Sequence, residues 1–430
     1  MTTPDTEKQI RSWQRRIFAL LWTSYASYYL CRMNFAVAQP EMLREFSDWT
    51  LAQIGLIPSV YSVFYAIGQF VNGQIGARFG ARRMMVIGLV IVGIANVTFS
   101  MTDSYSLMLV LWAINGYCQA IGWPQVVQTM SNWFRVGRRG TMMGLISTCY
   151  QGGNVGAWLL AGYLVEAYGW RASFWVPGIA MFPMALVMAF GMRNRPEDVG
   201  LPHIRDDEEP APESDSSAPA DADEWTIWRI LHITLSSKVL WFLSLSYFCF
   251  NAVRYAFMNW SVQYFNTVHE VDIKKSAFMS IMFPLIGSLG AISSGWISDR
   301  FFNSRRAPVC TIMLLFLAVL CLGFIPLQPG DVMLATVVLA ACGFMIYGPD
   351  AILTGAAAID LSHPKAAASA TGFIMAMGNL GAALVSGFGV GLILDYSGGD
   401  WKPVFYALGG ISVLSAAMAA VLWNEKPKGK

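Results

Sequence analysis

Charge is in short supply. Asp, Glu, Lys and Arg make up 13% of the 430 residues, 55% are hydrophobic, and the mean hydropathy is +0.47. A water-soluble domain carries about 25% charged residues, so this chain reads as an integral membrane protein. Cysteine offers no framework either. Cys31, Cys118, Cys149, Cys249, Cys310, Cys321 and Cys342 all lie in apolar stretches, without Cys-x-x-Cys spacing or a histidine cluster nearby. That excludes the common zinc and redox motifs and leaves them as small hydrophobes. A Gly-x4-Gly-Lys-Ser/Thr loop is missing, so ATP does not drive the protein directly. No set of nucleophile, base and orienting residue is recognisable, and nothing in the charge pattern calls for nucleic acid. Neither an enzymatic role, nor a cofactor, nor a metal is expected. The polar, basic first 16 residues run into an apolar stretch that lacks a small-residue cleavage site, so it reads as a retained first helix.

What is abundant is apolar sequence of spanning length. A helix needs ~20 mostly apolar residues to cross a bilayer, and twelve stretches qualify, near 17–38, 51–74, 84–102, 105–126, 139–165, 171–192, 239–262, 276–298, 307–326, 333–357, 366–393 and 401–423. The predicted fold is therefore all-α with twelve transmembrane helices. Basic residues set its orientation. With the N-terminus inside, 17 Lys and Arg fall on short cytoplasmic pieces and 5 (Arg44, Arg171, Lys274, Lys275, Lys402) on outer loops. That bias follows the positive-inside rule and puts both termini in the cytoplasm. The predicted location is the plasma membrane, the inner membrane if the source is bacterial.

Two arginines, Arg32 and Arg254, sit inside these apolar stretches. An arginine at the bilayer centre costs between ~3 and ~15 kcal/mol, so a chain keeps one only where a cavity, partner or ligand compensates. The two lie 222 residues apart, and the same shift maps Tyr25 onto Tyr247 and Phe35 onto Phe257. It also maps a loop running from Gly73 to Arg83 onto one running from Gly295 to Arg306, with one extra residue in the second copy. Further on the shift is 225, carrying Gly153–Ala157 onto Gly378–Ala382 and Pro124 onto Pro349. The chain is thus a duplication, with an N-terminal six-helix bundle over 1–192, a cytoplasmic linker over 193–237 and a C-terminal bundle over 238–430. Residues 206–224 hold nine acidic residues and no Lys or Arg, the composition of a solvated, disordered linker. From Trp225 to Ser237, alternating aromatic and polar residues fit a short helix on the membrane surface.

Helix geometry places i, i+4 and i+7 on one face. In the first span that face is Tyr25, Tyr29 and Arg32; in the seventh it is Tyr247, Asn251 and Arg254. Each half thus offers a guanidinium with hydroxyl or amide groups one and two turns away. The planar fork of arginine fits two oxygens of a phosphate or carboxylate, and two facing forks match a dianion. Asp350, beside Tyr347 and Pro349 in the tenth span, is a carboxylate placed well inside a span. It can accept a proton, pair with Arg254, or contact a polar part of a substrate, and the sequence does not choose. A break of the helix at Pro349 is expected to line a cavity. Tyr61, Tyr65 and Gln69, then Asn115, Gln119 and Trp123, then Thr148, Gln151 and Asn154, and finally Thr354 form further polar faces with cavity-lining or helix-joining roles.

Two six-helix halves, a cytoplasmic linker and the paired glycine–arginine loop resemble the major facilitator superfamily. That resemblance implies alternating access, in which the halves rock about a site near the midplane. It also makes the loop arginines latches on cytoplasmic helix ends, although Ala77 stands where the first loop usually has Asp. Residues 28–36, 122–124, 254–260, 346–349 and 195–202 sharpen the likeness to the organophosphate:phosphate antiporter family, across about residues 13–423. The family includes glycerol-3-phosphate, hexose-phosphate and phosphoglycerate transporters and sensors of the same fold. By resemblance, Arg32 and Arg254 hold the phosphate, and Tyr25, Tyr29 and Tyr347 match aromatic site residues. Departures are Gln69 where members carry lysine, Gly153 where they carry histidine, and Asn379 where they carry tyrosine. The implied function is exchange of a phosphorylated metabolite for inorganic phosphate by a monomer in the lipid bilayer. A sugar-phosphate sensor and a proton-coupled organic anion symporter are the alternatives.

Overall fold

The computed structural model describes residues 4–204, 234–302, 306–353 and 367–424, and the regular elements among them are helical. The first half holds α1 (Pro4–Leu30), α2 (Asn34–Glu45), α3 (Leu51–Phe79), α4 (Ala81–Ser100), α5 (Tyr105–Gln119), α6 (Gly122–Trp133), α7 (Val136–Tyr168) and α8 (Ala172–Gly191). The second holds α9 (Lys238–Val268), α10 (Ile273–Ser280), α11 (Met282–Phe301), α12 (Arg306–Leu322), α13 (Val332–Ala351), α14 (Ala367–Gly381), a π-helical segment (Ala382–Gly389), α15 (Val390–Tyr396) and α16 (Lys402–Ala420). Four of the expected spans are interrupted helices: α1/α2, α5/α6, α10/α11 and α14/π/α15. Joining them yields the twelve-helix fold. Seven spans among the described residues, α10/α11 and α14/π/α15 counted as one each, are long and apolar enough to cross a membrane, and α12 (Arg306–Leu322) is apolar but shorter.

Local chemistry sets several ends. Ser104 and Ser237 accept from the backbone N–H groups of Leu107 and Leu240 and so start α5 and α9. Gly169, at φ 81°, closes α7 in a backbone conformation that a side chain would strain. Pro349 departs from expectation: it lies within α13, which continues to Ala351, so the tenth span is not broken there. Of the expected surface helix over 225–237 only the last residues are described, and the linker's acidic stretch lies outside the described residues.

The duplication is visible in the packing. Within the first half α3 packs on α5, α4 on α8 and α1 on α7; within the second α11 packs on α13, α12 on α16 and α9 on α14. Numbered as spans, the second set is the first shifted by six. Lipid gives apolar helices no reason to leave it for one another, so close backbone approach matters. A Cβ at Gly116 would run into the Tyr61 carbonyl, and one at Gly290 into the Phe344 carbonyl.

Contacts between the halves are symmetric too, α3 meeting the π segment and α15 while α7 meets α10. Their bonds run from mid-bundle to one end. There the Asp395 carboxylate accepts from the N–H groups of Leu51 (2.9 Å) and Ala52 (2.8 Å) at the start of α3. Arg44 donates to Asn266 (2.9 Å), Lys274 pairs with Glu166 (3.7 Å), and the Phe388 N–H donates to Ser59 (2.9 Å). Gly55 and Gly387 touch backbone to backbone beside them.

Candidate functional site

Arg32 sits in the gap between α1 and α2, where the helix gives way to turns closed by Cys31 N–H to the Tyr28 carbonyl and Arg32 N–H to the Tyr29 carbonyl, both 3.1 Å. Asn34 helps create the gap: its side-chain oxygen takes the Phe35 N–H (3.0 Å), leaving the Cys31 carbonyl without its helical donor. That carbonyl accepts instead from Asn115 (2.9 Å) and Gln119 (3.1 Å), with Asn96 at 3.5 Å. Asn34 also donates to Asn96 (3.1 Å) and to the Ser173 carbonyl (2.9 Å). A break in a spanning helix requires such partners, since no water reaches the hydrocarbon core to take them. The repeat explains why the seventh span, the counterpart of the first, lacks one. Under the 225-residue shift Asn115 and Gln119 map onto Ala340 and Phe344, which cannot serve a freed carbonyl, and α9 runs unbroken through Arg254.

Released from the helical path, the Arg32 guanidinium lies among four tyrosine rings, 5.5 Å from Tyr29, 5.3 Å from Tyr61, 5.0 Å from Tyr65 and 5.7 Å from Tyr255. It donates to the Tyr255 hydroxyl at 2.5 Å. Among the described residues no carboxylate pairs with it. Cation–π contact and one hydrogen bond hold the charge in place, and its anion-binding edge is not spent on a counter-ion.

Arg254 differs. It lies 5.7 Å from the same Tyr255 ring and 5.1 Å from Tyr347, and pairs with Asp350 at 2.8 Å. Asp350 also accepts from the Tyr247 hydroxyl at 2.9 Å. The side chains of Arg254 and Asp350 are 17% and 21% exposed, and the Arg254 Nε is buried without a partner. Of the three roles open to Asp350 from sequence, the structure realises the pairing. Because each guanidinium stands 5.7 Å from the Tyr255 centroid, the two lie within about twice that distance of each other.

The other anticipated residues divide. Tyr29 and Tyr347 flank the arginines directly. Tyr25 stands one row back, its hydroxyl 3.5 Å from that of Tyr65 and its ring against Tyr29, Tyr150 and Trp123. Gln69 accepts from Asn379 at 3.1 Å, a crosspiece between halves. Asn251 is buried with its side-chain oxygen unpartnered, beside Gly378. Asn115 and Gln119 serve the helix break, Gln119 also accepting from Tyr61 at 3.0 Å. Thr148 accepts from Trp22 at 3.0 Å, a packing role. Thr354 and, in the two glycine–arginine loops, the side chains of residues 73–78, 299 and 303–305 lie outside the described residues; Arg306 donates to Ser298 at 3.2 Å. The stripe reasoning missed Tyr255 and Tyr150. Tyr255 follows Arg254 directly, and the ~100° turn per residue sends it toward the opposite half. No cluster of potential metal ligands occurs among the described residues. A groove of about 800 Å³ between the starts of α1 and α7, lined by Arg11, Arg15, Arg138 and Phe18, shares no residue with this chamber.

Comparison with known proteins places this geometry in context. Residues 21–384 match the profile of the Major Facilitator Superfamily. The chain is 30% identical over 427 residues to a probable hexose phosphate transport protein of Chlamydia trachomatis serovar D, covering 97% of this chain and 92% of that one. It is 32% identical over 429 residues to the membrane sensor protein UhpC of Salmonella typhimurium, covering 98% and 94%. Among solved structures it superposes with TM-score 0.75 on a bacterial homologue of the human lysosomal transporter Spinster, at 15% identity and covering 96% and 95% of the two chains.

Proposed function

From the premise that this chain belongs to the major facilitator superfamily and, within it, to the organophosphate:phosphate antiporter family, we propose that it exchanges a phosphorylated organic metabolite for inorganic phosphate. The observation that carries this is the meeting of Arg32 and Arg254, from opposite halves, on the ring of Tyr255. A phosphate between them takes oxygens from both forks. Anion binding then draws the halves together at mid-depth and lowers the barrier to rocking, whereas in the empty chamber Arg254 is held by Asp350 and only Arg32 lacks a carboxylate partner among the described residues. Energy comes from the gradients of the exchanged anions.

The lysine and arginine bias orients the cycle. It assigns the end that holds Arg44, Glu166 and Asp395 to the outside, so the bonds there close the outer face and the conformation is inward-facing. On this reading the protein is a monomer in the plasma membrane with both termini in the cytoplasm, two rocking halves over 1–192 and 238–430, and a site formed by Arg32, Arg254, Tyr25, Tyr29, Tyr347, Gln69, Asn251, Asp350 and Asn379, to which Tyr255 is added. A sensor that binds the ester without appreciable flux is the second reading, favoured by the 32% identity to UhpC.

Purified protein in phosphate-loaded vesicles tests the proposal. External phosphate esters are expected to drive labelled phosphate out, and Arg32→Ala or Arg254→Ala to stop it. Tight binding without flux supports the sensor. Uptake that follows an imposed pH gradient and vanishes in Asp350→Asn supports proton symport instead.

A further inference from the structure

Taking the phosphate site above as given, we infer that the preferred organic substrate is a phosphate ester whose other end carries an ammonium group, recognised by Asp350. The two arginines supply two positive charges and Asp350 removes one, at 2.8 Å from Arg254. A phosphate monoester brings about −1.5 to −2 near neutral pH. Once its oxygens occupy Arg254, the ion pair between Arg254 and Asp350 is weakened, and the Asp350 carboxylate faces another anion inside a chamber where its side chain is only 21% exposed. A neutral sugar or glycerol moiety cannot relieve this. An ammonium group a few bonds from the phosphorus does, by taking the place of Arg254 beside the carboxylate.

The surroundings suit such a cation. The Tyr247 hydroxyl already donates to Asp350 (2.9 Å) and would hold the carboxylate in place while Arg254 turns to the phosphate. Tyr347, whose ring faces the Arg254 guanidinium at 5.1 Å, offers a π face to whichever cation occupies that position. The repeat sharpens the contrast. Asp350 maps under the 225-residue shift onto Gln125, which is neutral and bonds away from the chamber to the Asn72 carbonyl at 3.3 Å. Among the described residues at the chamber, the first half therefore presents only positive charge and the second both signs, which is the layout of a zwitterion site.

The test compares phosphoethanolamine with glycerol 3-phosphate, esters of similar size, by equilibrium binding to the full-length protein in detergent. Phosphoethanolamine is expected to bind at least about tenfold more tightly, the worth of one charged hydrogen bond. In Asp350→Asn the ratio of the two dissociation constants should fall to near one, and Asp350→Glu should retain part of the preference. Equal binding of the esters by the wild type, or an equal loss for both in Asp350→Asn, overturns the inference. So does glycerol 3-phosphate binding that matches phosphoethanolamine and weakens about tenfold per unit rise in pH, because a proton then does what the ammonium is proposed to do. Phosphate counterflow is scored separately. Exchange without ester preference sinks this inference and leaves the exchange reading standing, while preference without exchange does the reverse.

Discussion

Replacing Asn115 and Gln119 together by leucine tests whether the gap in the first span is what delivers Arg32 to the chamber. In the native protein the Cys31 carbonyl accepts from both amides, at 2.9 and 3.1 Å, Gln119 donates to Asn115 at 3.0 Å, and Tyr61 donates to Gln119 at 3.0 Å. The double substitution removes these four bonds and the one that Asn96 donates to Asn115 (3.4 Å), and leaves the carbonyl with only the Asn96 amide at 3.5 Å. Interhelical hydrogen bonds in membranes average ~0.6 kcal/mol, and a stranded buried acceptor costs ~1–3 kcal/mol. Together these set the expected loss of stability at about 3 kcal/mol. The functional loss should exceed what unfolding explains. A carbonyl without donors favours re-forming the helical bond from the Phe35 N–H, which turns Arg32 away from Tyr255, and a misplacement of about 1 Å at a reacting group costs ~100-fold. The assay pairs unfolding in mixed detergent with phosphate exchange per folded molecule. Ser246→Ala with Ser415→Ala serves as control, since it removes a buried pair of mutual bonds (Ser246 to the Ser415 carbonyl 3.0 Å, Ser415 to the Ser246 carbonyl 2.8 Å) elsewhere in the bundle. If exchange by the leucine variant falls only in proportion to its folded fraction, as in the control, the account of the gap is wrong.

Lysine at position 32 or 254 keeps the charge but loses the planar fork, and each substitution should cut exchange by about 100-fold, near 3 kcal/mol at the barrier, read as initial rates of labelled phosphate efflux. Asp395→Asn weakens the hold on the first two N–H groups of α3, a charged cap worth about 1 kcal/mol; that should raise accessibility at that end of the bundle roughly fivefold, measured by thiol labelling of a cysteine at position 48. Gly387→Leu places a side chain where Gly55 and Ser59 already touch the backbone, so the two halves should be held apart at that end and exchange abolished, while the protein still folds and reacts with thiol labels placed there. Arg254→Ala should destabilise the protein by ~3 kcal/mol through loss of its ion pair with Asp350, and adding Asp350→Asn should recover most of that loss in a thermal unfolding scan.

Much of this molecule is legible from its residues taken in order. Twelve apolar stretches, the sparse charge and the 222-residue echo specify a duplicated helical bundle, because hydropathy and period depend only on local composition and a bilayer admits few ways to satisfy a backbone. Arg32, Arg254, Tyr29, Tyr347 and Asp350 stood out for a related reason: polar groups in apolar runs are costly wherever the chain places them. Contacts between residues distant in sequence decided the rest. That Asn115 and Gln119 serve a carbonyl 84 and 88 residues away depends on how α5 lies against the first span, and no pattern within either segment encodes it. Tyr255 joins the two arginines only because the halves meet, and Pro349 remains inside a helix where a local rule expects a break. Asp350 had three roles available to it as a letter in a sequence; the distance to Arg254, set by the packing of α13 beside α9, shows that it takes up the pairing in this conformation.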